Sequence, residues 1–149
     1  MRYNVMHVQY LFRNEEDMMI KKVWAVFFSA TGTTEKVVTK IAKTVAQSLG
    51  TEYGTYDFTL PEARAGNLKF NADDLVIFGT PVYAGRVPNV MLKYLAAIEG
   101  NDAIAVPVVL YGNRNYDDAL IELRDILEKG KLHTVAAAAF IGEHSFSYT

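Results

Sequence analysis

The sequence predicts an α/β fold, an open parallel five-stranded sheet in the order 2-1-3-4-5 with helices on both faces. From Lys22 onward, short apolar runs alternate with segments of helical spacing, which is typical of parallel βα units. The chain has 149 residues, half of them hydrophobic, which is enough for one buried core. If right-handed crossovers join the strands, few compact topologies are possible, and the strand order 2-1-3-4-5 is the leading one among them.

The first βα unit has the clearest pattern. Residues 23–28 are continuously apolar, as in a strand covered on both faces, and later apolar residues recur at helical spacing until Gly50 ends the helix. A weaker strand at 52–58 alternates polar and aromatic residues, which indicates a sheet edge. Residues 61–68 are expected to form a short helix or a loop.

The second half of the chain repeats the alternation. A buried run at 75–79 precedes a predicted helix at 89–99, and a strand at 104–111 precedes a helix at 117–129 that ends at Gly130. The last strand is predicted at 135–141. The usual last helix is missing from the sequence, so we expect a C-terminally truncated protein, or a face covered by the N-terminal tail or by a second subunit in a homodimer.

Residues 1–19 show no clear hydrophobic period, so we expect them to be an N-terminal tail or to result from a misassigned start codon. Residues 20–149 are expected to form the single α/β domain. The net charge of −2 offers no basic field for nucleic acid or an anionic membrane. The absence of cysteine excludes thiol catalysis and cysteine-ligated iron–sulfur clusters within this chain. The scattered histidines predict no metal site. Without a long apolar stretch or a secretory signal, we expect a cytoplasmic protein.

The loop after the first strand has the composition of a phosphate cradle. Hydroxyl groups and free amides at a helix N-terminus can bind a phosphate. The P-loop lysine and the three-glycine dinucleotide fingerprint are both missing, so a flavin monophosphate fits better than ATP. The alternative is an ordinary helix cap with spare hydroxyls. The candidate residues are Ser29, Ala30, Thr31, Gly32, Thr33 and Thr34.

Two further loops follow the third and fourth predicted strands, and each sets an aromatic residue beside small ones, which suits a flat ring. Tyr83 and Tyr116 are the stacking candidates, although either ring could instead pack on the core. Parallel strands should bring all three loops to one sheet edge. The candidates are Thr80, Pro81, Val82, Tyr83, Ala84, Gly85 and Arg86 in the second loop and Gly112, Asn113, Arg114 and Tyr116 in the third.

These loops resemble the three flavin loops of flavodoxins. The motifs are Ser-Ala-Thr-Gly-Thr-Thr at 29–34, Thr-Pro-Val-Tyr-Ala-Gly at 80–85 and Gly-Asn-Arg-Asn-Tyr-Asp-Asp at 112–118. More narrowly, the chain resembles the flavodoxin half of bacterial proteins that continue into a two-cluster ferredoxin domain, with residues 142–145 near the junction. The resemblance implies a flavodoxin-like fold, with the FMN phosphate in the first loop and the isoalloxazine held by the other two.

The resemblance implies an electron carrier that binds FMN non-covalently and exchanges electrons with a redox protein partner of the iron–sulfur type. Two alternatives stay open, an FMN-dependent NAD(P)H:quinone or nitro reductase and a flavin-free interaction module. Arg86 and Arg114 would lie near the flavin, where a cation favours the anionic reduced form and raises the potential of the last electron. Otherwise both arginines point to water.

Overall fold

The computed structural model describes residues 19–112 and 117–141, so residues 1–18 of the predicted N-terminal tail and the junction at 142–145 lie outside the described residues. The chain forms one parallel sheet in the order β2-β1-β3-β4-β5, with a sixth strand also paired to β4, which confirms the predicted fold class and order. The strands are β1 (Lys22–Phe27), β2 (Glu52–Asp57), β3 (Asp74–Pro81), β4 (Ile104–Tyr111), β5 (His133–Thr134) and β6 (Ala138–Ile141).

Three α-helices and one 3₁₀ turn connect these strands within the described ranges. The helices are α1 (Thr33–Leu49), α2 (Asn89–Ala96) and α3 (Asp117–Lys129), and the 3₁₀ turn is Pro61–Arg64. The bounds of β4 and α3 are those predicted from the sequence, whereas α2 ends three residues earlier than its predicted end. In the two described ranges, no helix is long and apolar enough to cross a membrane.

The core lies on both faces of the sheet, because successive residues of a strand point to opposite sides. In β3, Leu75 and Ile77 pack on the side of α1, while Val76 and Phe78 pack on the opposite side with apolar residues of α2 and α3. This two-sided burial explains why the central strands are continuously apolar. Of the helices that the structure describes, α1 alone packs on its face.

α1 is amphipathic and packs very close to the sheet. Its apolar residues from Val37 to Ala46 are buried, and Gly50 ends the helix in the left-handed conformation, with φ of 70°. A Cβ on Gly79 of β3 would lie 2.2 Å from Cγ2 of Val38. The helix therefore reaches its position beside the end of β3 only because residue 79 has no side chain.

The last predicted strand, 135–141, is interrupted in the structure. Thr134 of β5 pairs with Ala105, and Ala138 of β6 pairs with Val108. Between these two pairs the edge segment advances by four residues, whereas β4 advances by three. The segment between β5 and β6 therefore holds one extra residue, as in a β-bulge. The backbone stays close to the sheet there, because the Val135 N–H donates to the Ala105 carbonyl at 3.1 Å.

Candidate functional site

A cleft of about 190 Å³ lies where the carboxyl ends of β1, β3 and β4 meet. This is the sheet edge at which ligands bind in open α/β folds. The structure brings residues of all three predicted loops together there. The lining consists of Ala30, Thr31, Thr33, Thr34, Pro81, Val82, Tyr83, Leu110, Tyr111 and Gly112.

The first loop turns from β1 into α1 and leaves its backbone donors available. Ser29 Oγ accepts the Glu35 N–H at 3.0 Å, and the first backbone bond of the helix runs from Lys36 N–H to Gly32 O at 3.1 Å. Gly32 permits the turn with φ of 90°. No described residue accepts a hydrogen bond from the backbone N–H groups of residues 30–34. These groups can therefore bind an anion at the positive end of the helix dipole.

The first loop rests on the end of β2, a support that sequence reasoning missed. The Ser29 N–H donates to Thr59 Oγ1 at 2.8 Å. Asp57 Oδ1 accepts both the Thr59 N–H, at 2.9 Å, and the Thr59 hydroxyl. Arg64 Nη1 donates to the carbonyls of Phe58 and Thr59 at 2.8 and 2.9 Å. The one signal in the sequence is topological, because strand order 2-1-3 places the end of β2 beside the first loop.

The second loop presents Tyr83 at the rim of the cleft. Tyr83 and Arg86 exchange two backbone hydrogen bonds of 2.9 and 3.0 Å around a two-residue turn. The central residues of this turn, Ala84 and Gly85, have φ of 53° and 79°, as two-residue hairpin turns require. The Tyr83 side chain is 46% exposed. Its ring is therefore accessible to a flat ligand.

Two predicted residues of the second loop do not present their side chains to the cleft. Thr80 is fully buried, and its hydroxyl lies 3.4 Å from the sulfur of Met91. Arg86 instead contacts α3, where its Nε and Nη2 lie 2.9 and 2.7 Å from the two carboxylate oxygens of Glu122. The role of both residues toward a flavin stays a prediction.

Glu122 joins the second loop to α3. Besides the Arg86 guanidinium, its Oε1 accepts the backbone N–H of Val87 at 2.9 Å. The hydrogen bond from Arg86 holds the pKa of Glu122 below its usual value against the opposing effect of burial, and the carboxylate raises the pKa of Arg86 in turn. The charge of Arg86 is thus offset. Sequence reasoning missed Glu122 because it lies 36 residues from Arg86.

The third loop is described only at its start. Gly112 lines the cleft directly after β4. Three predicted residues of this loop, Asn113, Arg114 and Tyr116, lie outside the described residues.

Comparisons with known proteins relate this chain to flavodoxins and other flavoproteins. A family model described as a flavodoxin domain matches residues 25–140. No curated protein matches the chain. Among solved structures, the chain is similar to the flavodoxin of Streptococcus pneumoniae TIGR4, with 19% identity, a TM-score of 0.60, and coverage of 80% of this chain and 83% of that one.

Two further structures share the architecture. A provisionally assigned flavoprotein of Bacteroides uniformis ATCC 8492 has 15% identity and a TM-score of 0.54, with coverage of 87% of this chain and 95% of that one. The Flv1 flavodiiron core of Synechocystis sp. PCC6803 has 17% identity and a TM-score of 0.57, with coverage of 93% of this chain but 36% of that one. At such identities the likeness establishes the fold alone.

Proposed function

Because the chain belongs to the flavodoxin domain family, we propose that it binds one FMN non-covalently in the cleft and transfers electrons to or from an iron–sulfur protein partner. The observation that carries this proposal is the composition of the cleft. It combines backbone N–H groups that have no acceptor among the described residues with an exposed aromatic ring, on one sheet edge. That pairing suits a ligand with one phosphate and one flat ring.

The donor set of the first loop fits the phosphate of FMN. The backbone N–H groups of residues 30–34 are joined by the hydroxyls of Thr31 and Thr33, whose oxygens lie 3.5 Å apart. Among the described residues, no carboxylate lines the cleft to repel an anion. A Cβ on Gly32 would meet no atom within 4 Å, so the loop leaves open space beside these donors.

The second loop and the end of β4 would hold the ring. Tyr83 offers a face for stacking, while Pro81, Val82 and Leu110 supply apolar contact. Bound FMN supplies the redox chemistry, since it accepts and donates single electrons. The chain itself then needs to bind, orient and shield the ring, which agrees with a cleft whose described lining has no charged side chain.

The phosphate cradle is tested by comparing FMN with riboflavin, which lacks the phosphate, as ligands of the flavin-free protein. Quenching of flavin fluorescence measures both affinities. Wild type should bind FMN about a hundredfold more tightly than riboflavin, because several charge-assisted hydrogen bonds are made only to the phosphate. Thr33→Asp should abolish most of that preference and leave riboflavin binding unchanged, since it places a negative charge beside the phosphate site.

Thr44→Asp is the matched control, because residue 44 lies on the same helix about 16 Å from residue 33. Equal affinities for FMN and riboflavin in wild type would exclude the phosphate cradle. A colourless protein that quenches neither flavin would exclude flavin binding altogether. Rapid oxidation of NAD(P)H with a quinone acceptor by the FMN-loaded protein would contradict the carrier role, for which we expect no such turnover.

A further inference from the structure

Glu122 of α3 lies outside the described lining of the cleft, yet it binds two successive residues of the segment that borders it. Its Oε1 lies 2.9 Å from both Arg86 Nε and the backbone nitrogen of Val87, and its Oε2 lies 2.7 Å from Arg86 Nη2. The Glu122 side chain is only 17% exposed. A single, largely shielded carboxylate thus connects α3 to the second loop by three hydrogen bonds.

The turn that carries Tyr83 is anchored on both sides. Before the turn, the Val82 N–H donates to the Leu110 carbonyl of β4 at 2.9 Å. After the turn, the Glu122 carboxylate provides the anchor. Tyr83 and Arg86 exchange two backbone hydrogen bonds across the turn, so a displacement of Arg86 also moves the backbone of Tyr83. The sheet therefore fixes one side of the turn, and one side chain of α3 contributes to fixing the other.

We propose that Glu122 is a positioning residue for the flavin ring and that it acts through the turn carrying Tyr83. This inference rests on the proposed binding of FMN in the cleft. Glu122 would keep the exposed Tyr83 ring at the rim of the cleft before a flavin binds. Because a preorganised loop loses less conformational entropy on binding, the flavin ring is bound more tightly.

The chemistry of the contact explains why a carboxylate is needed. The hydrogen bond from Arg86 lowers the pKa of Glu122, so the group is ionised at neutral pH and can accept all three hydrogen bonds. Val87 is only 1% exposed, and among the described residues its N–H has no acceptor besides Glu122. Without the carboxylate, this N–H is left unsatisfied unless the loop moves toward water. Loss of Glu122 should therefore displace the loop as well as remove an ion pair.

The next carboxylate of α3 makes a different contact and supplies the matched control. Asp125 pairs with Arg124 of the same helix at 3.0 Å, and its side chain is 64% exposed. Asp125→Ala thus removes a negative charge from the same helix and breaks an ion pair, but leaves the contact between Glu122 and the second loop in place.

The test measures the affinities of the flavin-free full chain for FMN and for riboflavin by quenching of flavin fluorescence. Glu122→Ala should weaken the binding of both ligands about tenfold and leave the ratio of the two affinities unchanged, because the contribution of the ring is lost and that of the phosphate is kept. Glu122→Gln keeps an acceptor for the Val87 N–H but not the charged pair with Arg86, so it should lose only about threefold. Asp125→Ala should bind both flavins as wild type does.

A double-mutant cycle with Tyr83→Ala shows whether Glu122 acts through the turn. Once the Tyr83 ring is absent, Glu122→Ala should change riboflavin affinity by less than about twofold. Hydrogen exchange gives a readout that needs no flavin. The Val87 amide proton should exchange faster in Glu122→Ala than in wild type or in Asp125→Ala, because its acceptor is lost. Circular dichroism at the temperature of the titrations shows whether each variant is folded.

The outcomes separate this proposal from the proposed function. A wild-type chain that binds neither flavin overturns both. Tight binding of both flavins by wild type and by Glu122→Ala alike overturns the positioning role alone. The role is also overturned by a loss confined to FMN, or by a loss of riboflavin affinity that is as large in the Tyr83→Ala chain as in wild type. If Glu122→Ala does not fold, Glu122→Gln decides by the same comparisons, and unchanged affinities in that variant overturn the proposal.

Discussion

Replacing Gly79 by alanine tests how α1 is held against the sheet beside the first loop. An ideal Cβ at residue 79 would lie 2.2 Å from Cγ2 of Val38 and 3.2 Å from Cγ2 of Thr34. Either the helix α1 or the side chains of Val38 and Thr34 must therefore shift, which costs about 1–3 kcal/mol in a packed interior. The reduced entropy of the unfolded chain offsets about 0.4–1 kcal/mol. We expect Gly79→Ala to lower the free energy of unfolding by about 1–2 kcal/mol.

Urea denaturation followed by circular dichroism measures this loss, with Gly66→Ala as the control. No atom lies within 4 Å of a Cβ at Gly66, so that variant should be as stable as wild type or up to about 1 kcal/mol more stable. Val38→Ala removes the clashing methyl group and should cost about 2 kcal/mol alone.

The double variant, Gly79→Ala with Val38→Ala, tests whether the clash with Val38 causes the loss of stability in Gly79→Ala. Removing Cγ2 of Val38 makes room for the new methyl group, so the two losses should fall short of additivity by about 1 kcal/mol. Gly79→Ala should also weaken FMN binding, because the displaced helix carries Thr33 and Thr34 at the cleft. Strictly additive losses in the double variant would refute the reasoning.

Three further predictions concern the loops of the cleft. Glu122→Gln should lower the melting temperature at pH 7, and the difference from wild type should shrink as the pH falls. The pKa of Glu122 is lowered in the folded protein, so its stabilisation is present above the unfolded pKa and lost on acidification through the folded one; a constant difference contradicts this. Thr59→Val should weaken FMN binding about fivefold, since the Ser29 N–H loses its acceptor, whereas Thr55→Val on the exposed edge should not. Arg86→Ala should lower the potential of the second electron taken up by bound FMN, and Glu122→Gln should raise it. Potentiometric titration measures both shifts, and identical potentials would remove Arg86 from the surroundings of the flavin.

Local patterns predicted the elements whose burial is either continuous or periodic along the chain. β4 and α3 have the bounds expected from a continuous apolar run and from helical spacing. The interruption between β5 and β6 could not be predicted in this way. It depends on a one-residue mismatch with β4 between Thr134 and Ala138, and the partner strand, not the local sequence, sets that mismatch.

In the candidate site, too, the local sequence predicted some features, whereas others depend on residues far apart in the chain. The loops could be located because each follows a buried strand, and parallel strands end at one edge. The contacts that hold the loops link residues far apart in sequence, 30 between Ser29 and Thr59 and 36 between Arg86 and Glu122. Such pairs carry no local signal, and either side chain alone reads as an ordinary surface residue.

The positions of the carboxylates explain how a weakly acidic chain can present a cleft suited to an anion. Asp57 and Glu122 each fix a loop, but both lie outside the described lining and are bound to donors, Thr59 in one case and Arg86 in the other. Arg86 offsets the charge of Glu122, whereas Asp57 keeps its charge but lies outside the lining of the cleft. Attraction for a phosphate then comes from the backbone N–H groups of residues 30–34 and from the dipole of α1. Since backbone groups supply it, the affinity should depend more on the placement of the helix, which Gly79 permits, than on any single hydroxyl of the loop.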